Sequence, residues 1–157
     1  MDKIPFSPKP GQIDFTAARY APVINCLVFY KGKILIVKRS KNSEYYPNRW
    51  SGISGFLDDS KTIKEKTKEE LFEELGIKPN QIKKIKIGPV FEYEGPSYNK
   101  VWIAHPVLAE VLTDKLTLDW EADDYKWIAP SEIKNYKFAP GFMTVFNFFF
   151  PKIKTII

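Results

Sequence analysis

Between Thr62 and Pro79 the chain carries a helix signal marked at both ends, with five glutamates inside it. Thr62 followed three residues later by Glu65 has the form of a capping box. Ile63, Thr67, Leu71 and Leu75 recur every fourth residue, the spacing of one buried helical stripe, and Phe72 lies beside it. Gly76 suits the left-handed residue after a last turn, and Pro79 blocks continuation. The spacing therefore predicts a helix over 63–75. Within it Glu70, Glu73 and Glu74 stand at i, i+3 and i+4, so their carboxylates share one face. Like charges at such spacings cost an isolated helix about 0.2–0.5 kcal/mol per pair. They also lie toward the C-terminal end, where the macrodipole disfavours anions. A hard divalent cation offsets that cost, because Mg²⁺ takes carboxylate oxygens together with waters and phosphates. The cluster alone leaves a second reading open: glutamate is a good helix former, and Lys64, Lys66 and Lys68 stand beside it as on any solvated Lys/Glu face.

On either side of this helix the chain reads mainly as strands. Residues 22–30 (PVINCLVFY) and 33–39 (KILIVKR) are rich in Val, Ile and Leu, and Lys31-Gly32 between them fits a tight hairpin. A polar, aromatic-bearing loop over 40–50 leads to a short strand over 52–57. Strands are expected over 82–94, 99–112 and 122–128, with a turn at Gly95-Pro96. Pro130-Ser131-Glu132 opens a short helix. Pro140 to Phe149 reads as a closing helix with Phe142, Val145, Phe148 and Phe149 on its apolar face. Strands with one helix inserted among them indicate an α+β domain, a mixed β-sheet sandwiched between helices. Residues 1–20, with three prolines and little periodicity, read as an extended N-terminal arm, leaving 21–157 as the domain.

Composition narrows the function classes. A chain of 157 residues suits one domain with a sizeable core. No apolar run approaches the ~20 residues needed to cross a bilayer, and Met1 to Pro10 lacks a signal-type stretch. Cys26 is the lone cysteine and sits in an apolar run, which excludes an internal disulfide framework and predicts a buried thiol. A cytoplasmic location is expected. The net charge of +5 suits phosphate-bearing partners or, equally simply, a solvated lysine surface, since only Arg19, Arg39 and Arg49 among 24 basic residues are arginine.

The stretch Gly55 to Ile77, GFLDDSKTIKEKTKEELFEELGI, resembles the Nudix box, G-x5-E-x7-R-E-U-x-E-E-x-G-U with U a bulky aliphatic. Gly55, Glu70, Leu71, Glu73, Glu74, Gly76 and Ile77 fall on defined positions without a gap. The preceding WSGISGF (Trp50 to Phe56) and the later WEADDYKWIAPSEI (Trp120 to Ile133) also resemble segments of many members. The resemblance implies the Nudix fold and a metal-dependent pyrophosphohydrolase. Its substrate would be a nucleoside diphosphate linked to another moiety, NDP-X, giving NMP and P-X. It implies Mg²⁺ or Mn²⁺ held by Glu70, Glu73 and Glu74 with help from the Gly55 carbonyl. Glu70 or Glu73 then serves in catalysis, and Glu121 or Asp123 is a candidate for a further acid. A nucleotide-type small molecule is the expected partner, homodimerisation is left open, and neither a membrane nor a nucleic acid is expected.

Two box positions depart from the pattern. Lys61 stands where the first glutamate belongs, and Glu69 where the arginine belongs. In the family these positions approach each other and the arginine helps orient the catalytic glutamate. Because both have changed sign together, a reversed ion pair is expected, with a decayed, non-catalytic binding module as the alternative. An isomerase of the isopentenyl-diphosphate type shares the fold but uses several histidine ligands and a catalytic cysteine, against one His105 and Cys26 here. His105 alternates with apolar residues and reads as structural. Outside the box, Arg39, Lys41 and Arg49 are candidates for phosphate binding. Tyr45, Tyr46, Trp50, Tyr93, Tyr98 and Trp102 are candidates for stacking on a base, which is worth about 1–3 kcal/mol in single-stranded nucleic-acid complexes.

Overall fold

The computed structural model describes the backbone of residues 9–156 and the side chains of 9–151. Residues 1–8 of the expected arm lie outside the described residues. The elements run β1 (Tyr20–Tyr30), β2 (Lys33–Arg39), β3 (Trp50–Ser51), β4 (Ile53–Phe56), α1 (Ile63–Leu75), β5 (Ile82–Ile87), β6 (Phe91–Gly95), β7 (Lys100–Val111), β8 (Ala122–Ile128) and α2 (Phe142–Ile156). One sheet contains all the strands, along the path β3-β2-β1-β7-β5. β1 and β7 pair in parallel from Tyr20↔Val101 to Phe29↔Glu110, and the other pairings are antiparallel. The sheet is therefore mixed. β1 forks: its first half pairs with β4 (Val23↔Phe56 to Cys26↔Ile53), while its end pairs with β2 across a turn in which Lys31 (φ 44°) and Gly32 (φ 81°) are both left-handed.

Strand alternation sorts the core into two layers. Ile24, Cys26 and Val28 of β1, with Leu35 and Val37 of β2, pack toward Leu71 and Leu75 of α1. Leu27, Phe29, Ile34 and Ile36 point the other way, against Phe142, Val145, Phe146 and Phe149 of α2. The sheet thus lies between the two helices, an α+β architecture. This layering fixes the phase of α1 and so the direction of its glutamates.

Three elements differ from the sequence expectation. The strand expected over 82–94 is interrupted after Ile87, and its halves pair with different parts of β7. Pro89 offers no ladder N–H there, and a side chain on Gly88 would meet the Phe148 ring at 2.7 Å. The short helix at Pro130 is a 3₁₀ turn, Pro130–Asn135. α2 continues through Pro151 to Ile156 rather than stopping at 149.

Residues 9–19 form no strand, but they are tied down. The Lys100 ammonium, 3 % exposed, donates to the carbonyls of Phe15 (2.6 Å), Thr16 (3.0 Å) and Ala18. Gln12 Nε2 donates to Asp58 Oδ2 at 2.8 Å, and the Phe15 ring stacks on Phe56 with centroids 6.1 Å apart. The described part of the arm therefore rests on the loop before α1.

Candidate active site

Side-chain capping sets where α1 begins. Thr62 accepts from the Glu65 N–H at 3.2 Å, and Glu65 Oε1 accepts from the Thr62 N–H at 3.0 Å. At the other end Gly76 is left-handed (φ 70°), and the N–H groups of Gly76 and Ile77 close on the carbonyls of Phe72 and Leu71. With Leu71 and Leu75 seated in the core, the next stripe of the helix (Lys66, Glu69, Glu70, Glu73) faces β4. A side chain on Gly55 would lie 2.5 Å from Glu70 Oε1, so only glycine lets the β4 backbone pass this close to the carboxylate.

Carboxylate oxygens of Glu69, Glu70 and Glu73 lie within 4.8 Å of one another. Glu74 sits behind them, its Oε2 buried without a hydrogen-bond partner. The three ligands expected from the box were Glu70, Glu73 and Glu74; the structure gathers Glu69 in place of Glu74 at the front and turns Glu74 toward Glu70 and Glu121. Glu121 arrives on the segment leading into β8, where its carbonyl accepts from the Ser40 N–H at 2.9 Å.

Crowding raises the proton affinity of this group. Burial first, then the Glu121 charge, pushes the Glu70 carboxyl up to about 8. Burial, followed by the Glu69 charge, raises Glu73. Burial and the contact with Glu121 raise Glu74 well above the carboxylate range. Asp119, also partly buried and facing Glu121 and Glu73, is raised to about 6. Carboxylates held together at the cost of their own ionisation are what a divalent cation relieves. The donors are all oxygen, one buried oxygen lacks a partner, and the helix presents them on one face. The residues fit Mg²⁺ or Mn²⁺.

Beneath the cluster lies a charge network. Lys66 is 2 % exposed and its Nζ reaches Asp59 Oδ2 (2.9 Å), Asp58 Oδ1 (3.2 Å) and Glu69 Oε1 (3.3 Å). Lys61 Nζ reaches Glu69 Oε2 (3.0 Å) and Asp59 Oδ2 (3.1 Å). Burial opposes the Lys66 charge, but the hydrogen bond to Asp59 and the Asp58 carboxylate outweigh it and hold the ammonium above the ordinary lysine value. The Lys66 hydrogen bond holds Asp59 down to about 2.

A cleft of about 470 Å³ runs from Glu69, Glu70 and Glu73 around β4 to a wall that includes Tyr45, Tyr46, Tyr93 and Trp102. Arg39 and Glu121 also line it. Arg39 Nε donates to the Tyr45 carbonyl at 2.8 Å, and Trp102 Nε1 to the Tyr46 hydroxyl at 3.0 Å. Arg49 and Trp50, also expected at the substrate, do not line the cleft. Along β3 the side chains alternate, so Ser51 enters the cleft while Trp50 packs on Tyr136, ring centroids 5.4 Å apart, and Arg49 donates to the Phe138 carbonyl at 3.1 Å. Asp123 accepts from the Lys41 N–H at 3.1 Å, outside the cleft lining. His105 Nδ1 lies 3.2 Å from the carbonyls of Val23 and Ile103, a structural position on β7.

A profile of the NUDIX domain family matches residues 19–146. The chain belongs to this family. Among curated relatives, the nucleoside triphosphatase NudI of Klebsiella pneumoniae is 25% identical over 127 residues, covering 75% of this chain and 88% of that protein. The isopentenyl-diphosphate Delta-isomerase of Halobacterium salinarum is 31% identical over a shorter stretch of 71 residues, 44% of this chain and 33% of that one. The fold is shared with a bifunctional NMN adenylyltransferase/ADP ribose pyrophosphatase of Francisella tularensis, solved with AMP and a Mn ion (TM-score 0.69, 24% identity, 85% of this chain and 42% of that chain).

Within the Nudix box the two altered positions meet: Lys61 and Glu69 form an ion pair of reversed sense. Sequence reasoning missed Asp58, Asp59, Asp119 and, above all, Lys66, which it left among solvated lysines. The available signal was register, since Lys66 stands four residues before Glu70 and seven before Glu73 and so belongs to their stripe.

Proposed function

We propose that the protein is a metal-dependent hydrolase of the pyrophosphate bond in a nucleoside diphosphate linked to another moiety, converting NDP-X to NMP and P-X. The observation that carries this reading is the juxtaposition on one helix face of Glu69, Glu70 and Glu73, within 4.8 Å, with a cleft whose far wall is aromatic. Family membership, a nucleoside triphosphatase relative and a fold neighbour solved with AMP and manganese support it.

In this proposal Glu70 and Glu73 hold Mg²⁺ or Mn²⁺ with Glu69 or Glu74, and the Gly55 carbonyl, on the strand that passes against Glu70, is the further candidate ligand. A divalent ion held there would supply neutralising charge at the pyrophosphate and a more acidic water. Glu70 or Glu73 would take the proton of the attacking water through an oxygen that the ion leaves free. Arg39 faces the phosphates, and Tyr46 with its neighbouring rings takes the base. Glu121 stands against Glu74 and Glu70 and adds to the crowding that a cation would relieve. We assign the catalytic unit to residues 21–157, and a cytoplasmic location goes with this reading of the substrate. Among the described residues no helix is long and apolar enough to cross a membrane.

The isomerase relative does not shift this reading. Cys26 is 1 % exposed and burial pushes its thiol up to about 12, which disfavours the thiolate a nucleophile needs. A panel of nucleoside triphosphates, nucleotide sugars, ADP-ribose and dinucleoside polyphosphates, assayed with Mg²⁺ and with Mn²⁺, should yield a nucleoside monophosphate from at least one compound. Tight nucleotide binding with no product from any of them would establish the binding module instead.

A further inference from the structure

We propose that Lys66 is the positioning cation of the metal-binding helix face, taking over from one turn upstream the place of the arginine that Glu69 displaces in the box. It rests on the geometry of a single point in the structure. Glu69 Oε1 lies 3.3 Å from Lys66 Nζ, so side chains from positions 66 and 69 converge there, against Asp58 and Asp59. A cation on either position serves the same carboxylates. Here the cation comes from position 66, and the anion at 69 is closed from outside by Lys61 at 3.0 Å.

Burial distinguishes the two lysines. The Lys61 side chain is 44 % exposed and faces solvent, where an ion pair contributes little. Lys66 is 2 % exposed and stands on one stripe with Glu69, Glu70 and Glu73. A buried ammonium persists only when paired and hydrogen-bonded, and its three carboxylate partners meet that need from two directions. Asp58 and Asp59 come from the loop before α1, and Glu69 comes from α1 itself. Lys66 thereby pins the loop to the helix and sets where Glu69 turns, and its charge acts favourably on both Glu70 and Glu73. Asp58 extends the frame to the arm, accepting from Gln12 at 2.8 Å.

The test moves the cation. Lys66→Met is made in the native chain and in a Lys61→Glu/Glu69→Arg background, where the introduced guanidinium supplies the charge from position 69. Mn²⁺ affinity, thermal unfolding of the metal-free proteins and, resting on the hydrolase reading, kcat and KM are measured for all four. Lys66→Met should weaken Mn²⁺ binding and lower kcat by at least about tenfold in the native chain, with KM little changed, and cost less than about threefold in the other background. If Lys66→Met fails to fold in the native chain but folds in the background that carries the guanidinium, the exchange of cations is also established. Equal losses in both backgrounds, unchanged Mn²⁺ affinity in the folded single variant, or failure to fold in both would overturn the proposal. Failure of the hydrolase reading looks different: no variant turns over, while the coupling in Mn²⁺ affinity and unfolding remains.

Discussion

At the scale of single residues, the close approach of Gly55 to Glu70 constrains the carboxylate cluster directly. A methyl group there would lie 2.5 Å from Glu70 Oε1 and must displace that carboxylate. Gly55→Ala is expected to lower kcat by about tenfold to 100-fold, as misplacements near 1 Å do, while leaving the melting temperature within a few degrees of wild type; steady-state kinetics and calorimetry check both. Glu70 itself links pH to stability. Its carboxyl titrates near 4.5 when unperturbed and about 8 in the fold. Between those values the folded, metal-free protein binds the extra proton, so the Glu70 contribution to stability falls as pH rises from about 4.5 to about 8 and is constant on either side. Glu70→Gln should flatten this slope in urea unfolding of the metal-free protein. A slope unchanged by the substitution would show that Glu70 is not the group responsible.

Helix α1 is legible in the sequence to its last residue because both of its ends are set by local chemistry: the Thr62–Glu65 box and the left-handed Gly76. Each end can be weakened separately. Thr62→Ala should cost about 1 kcal/mol by orphaning the Glu65 N–H, and Gly76→Ala about 1–2 kcal/mol by placing a Cβ at φ 70°; urea unfolding measures both. The less legible features depend on partners distant in sequence. The break between β5 and β6 follows from which half of β7 each one meets, and Gly88-Pro89 alone reads equally well as a turn or as an irregular strand. Trp50 and Arg49 were assigned to the cleft by proximity to the loop, whereas the parity of a two-residue strand sends Ser51 inward instead. Lys66 shows the same limit. Lysine on a helix reads as solvated until Asp58 and Asp59 fold over it, and that depends on the loop between β4 and α1.

The whole molecule places a forked, mixed sheet between two helices so that the carboxylate face of α1 opens into a cleft reaching the aromatic wall beyond β4. Fold class and box were readable because they follow from periodicity and spacing, whereas the seating of Glu74 behind Glu70, against Glu121, was not, since it joins α1 to the entry of β8. Crowded carboxylates must give up protons when a cation binds. Mn²⁺ should therefore bind more tightly, and raise the melting temperature more, at about pH 8 than at about pH 6; calorimetry in buffers of different ionisation enthalpy should also detect proton release on binding. An equal stabilisation at both pH values would contradict the raised proton affinity of Glu70. The most direct test of the central claim is turnover of the best substrate by wild type, Glu70→Gln and Glu73→Gln at saturating Mg²⁺ or Mn²⁺. The account predicts hydrolysis that a chelator abolishes and that Glu70→Gln lowers by about 100-fold or more in kcat. Turnover that survives the chelator, or that both substitutions leave intact, would contradict it.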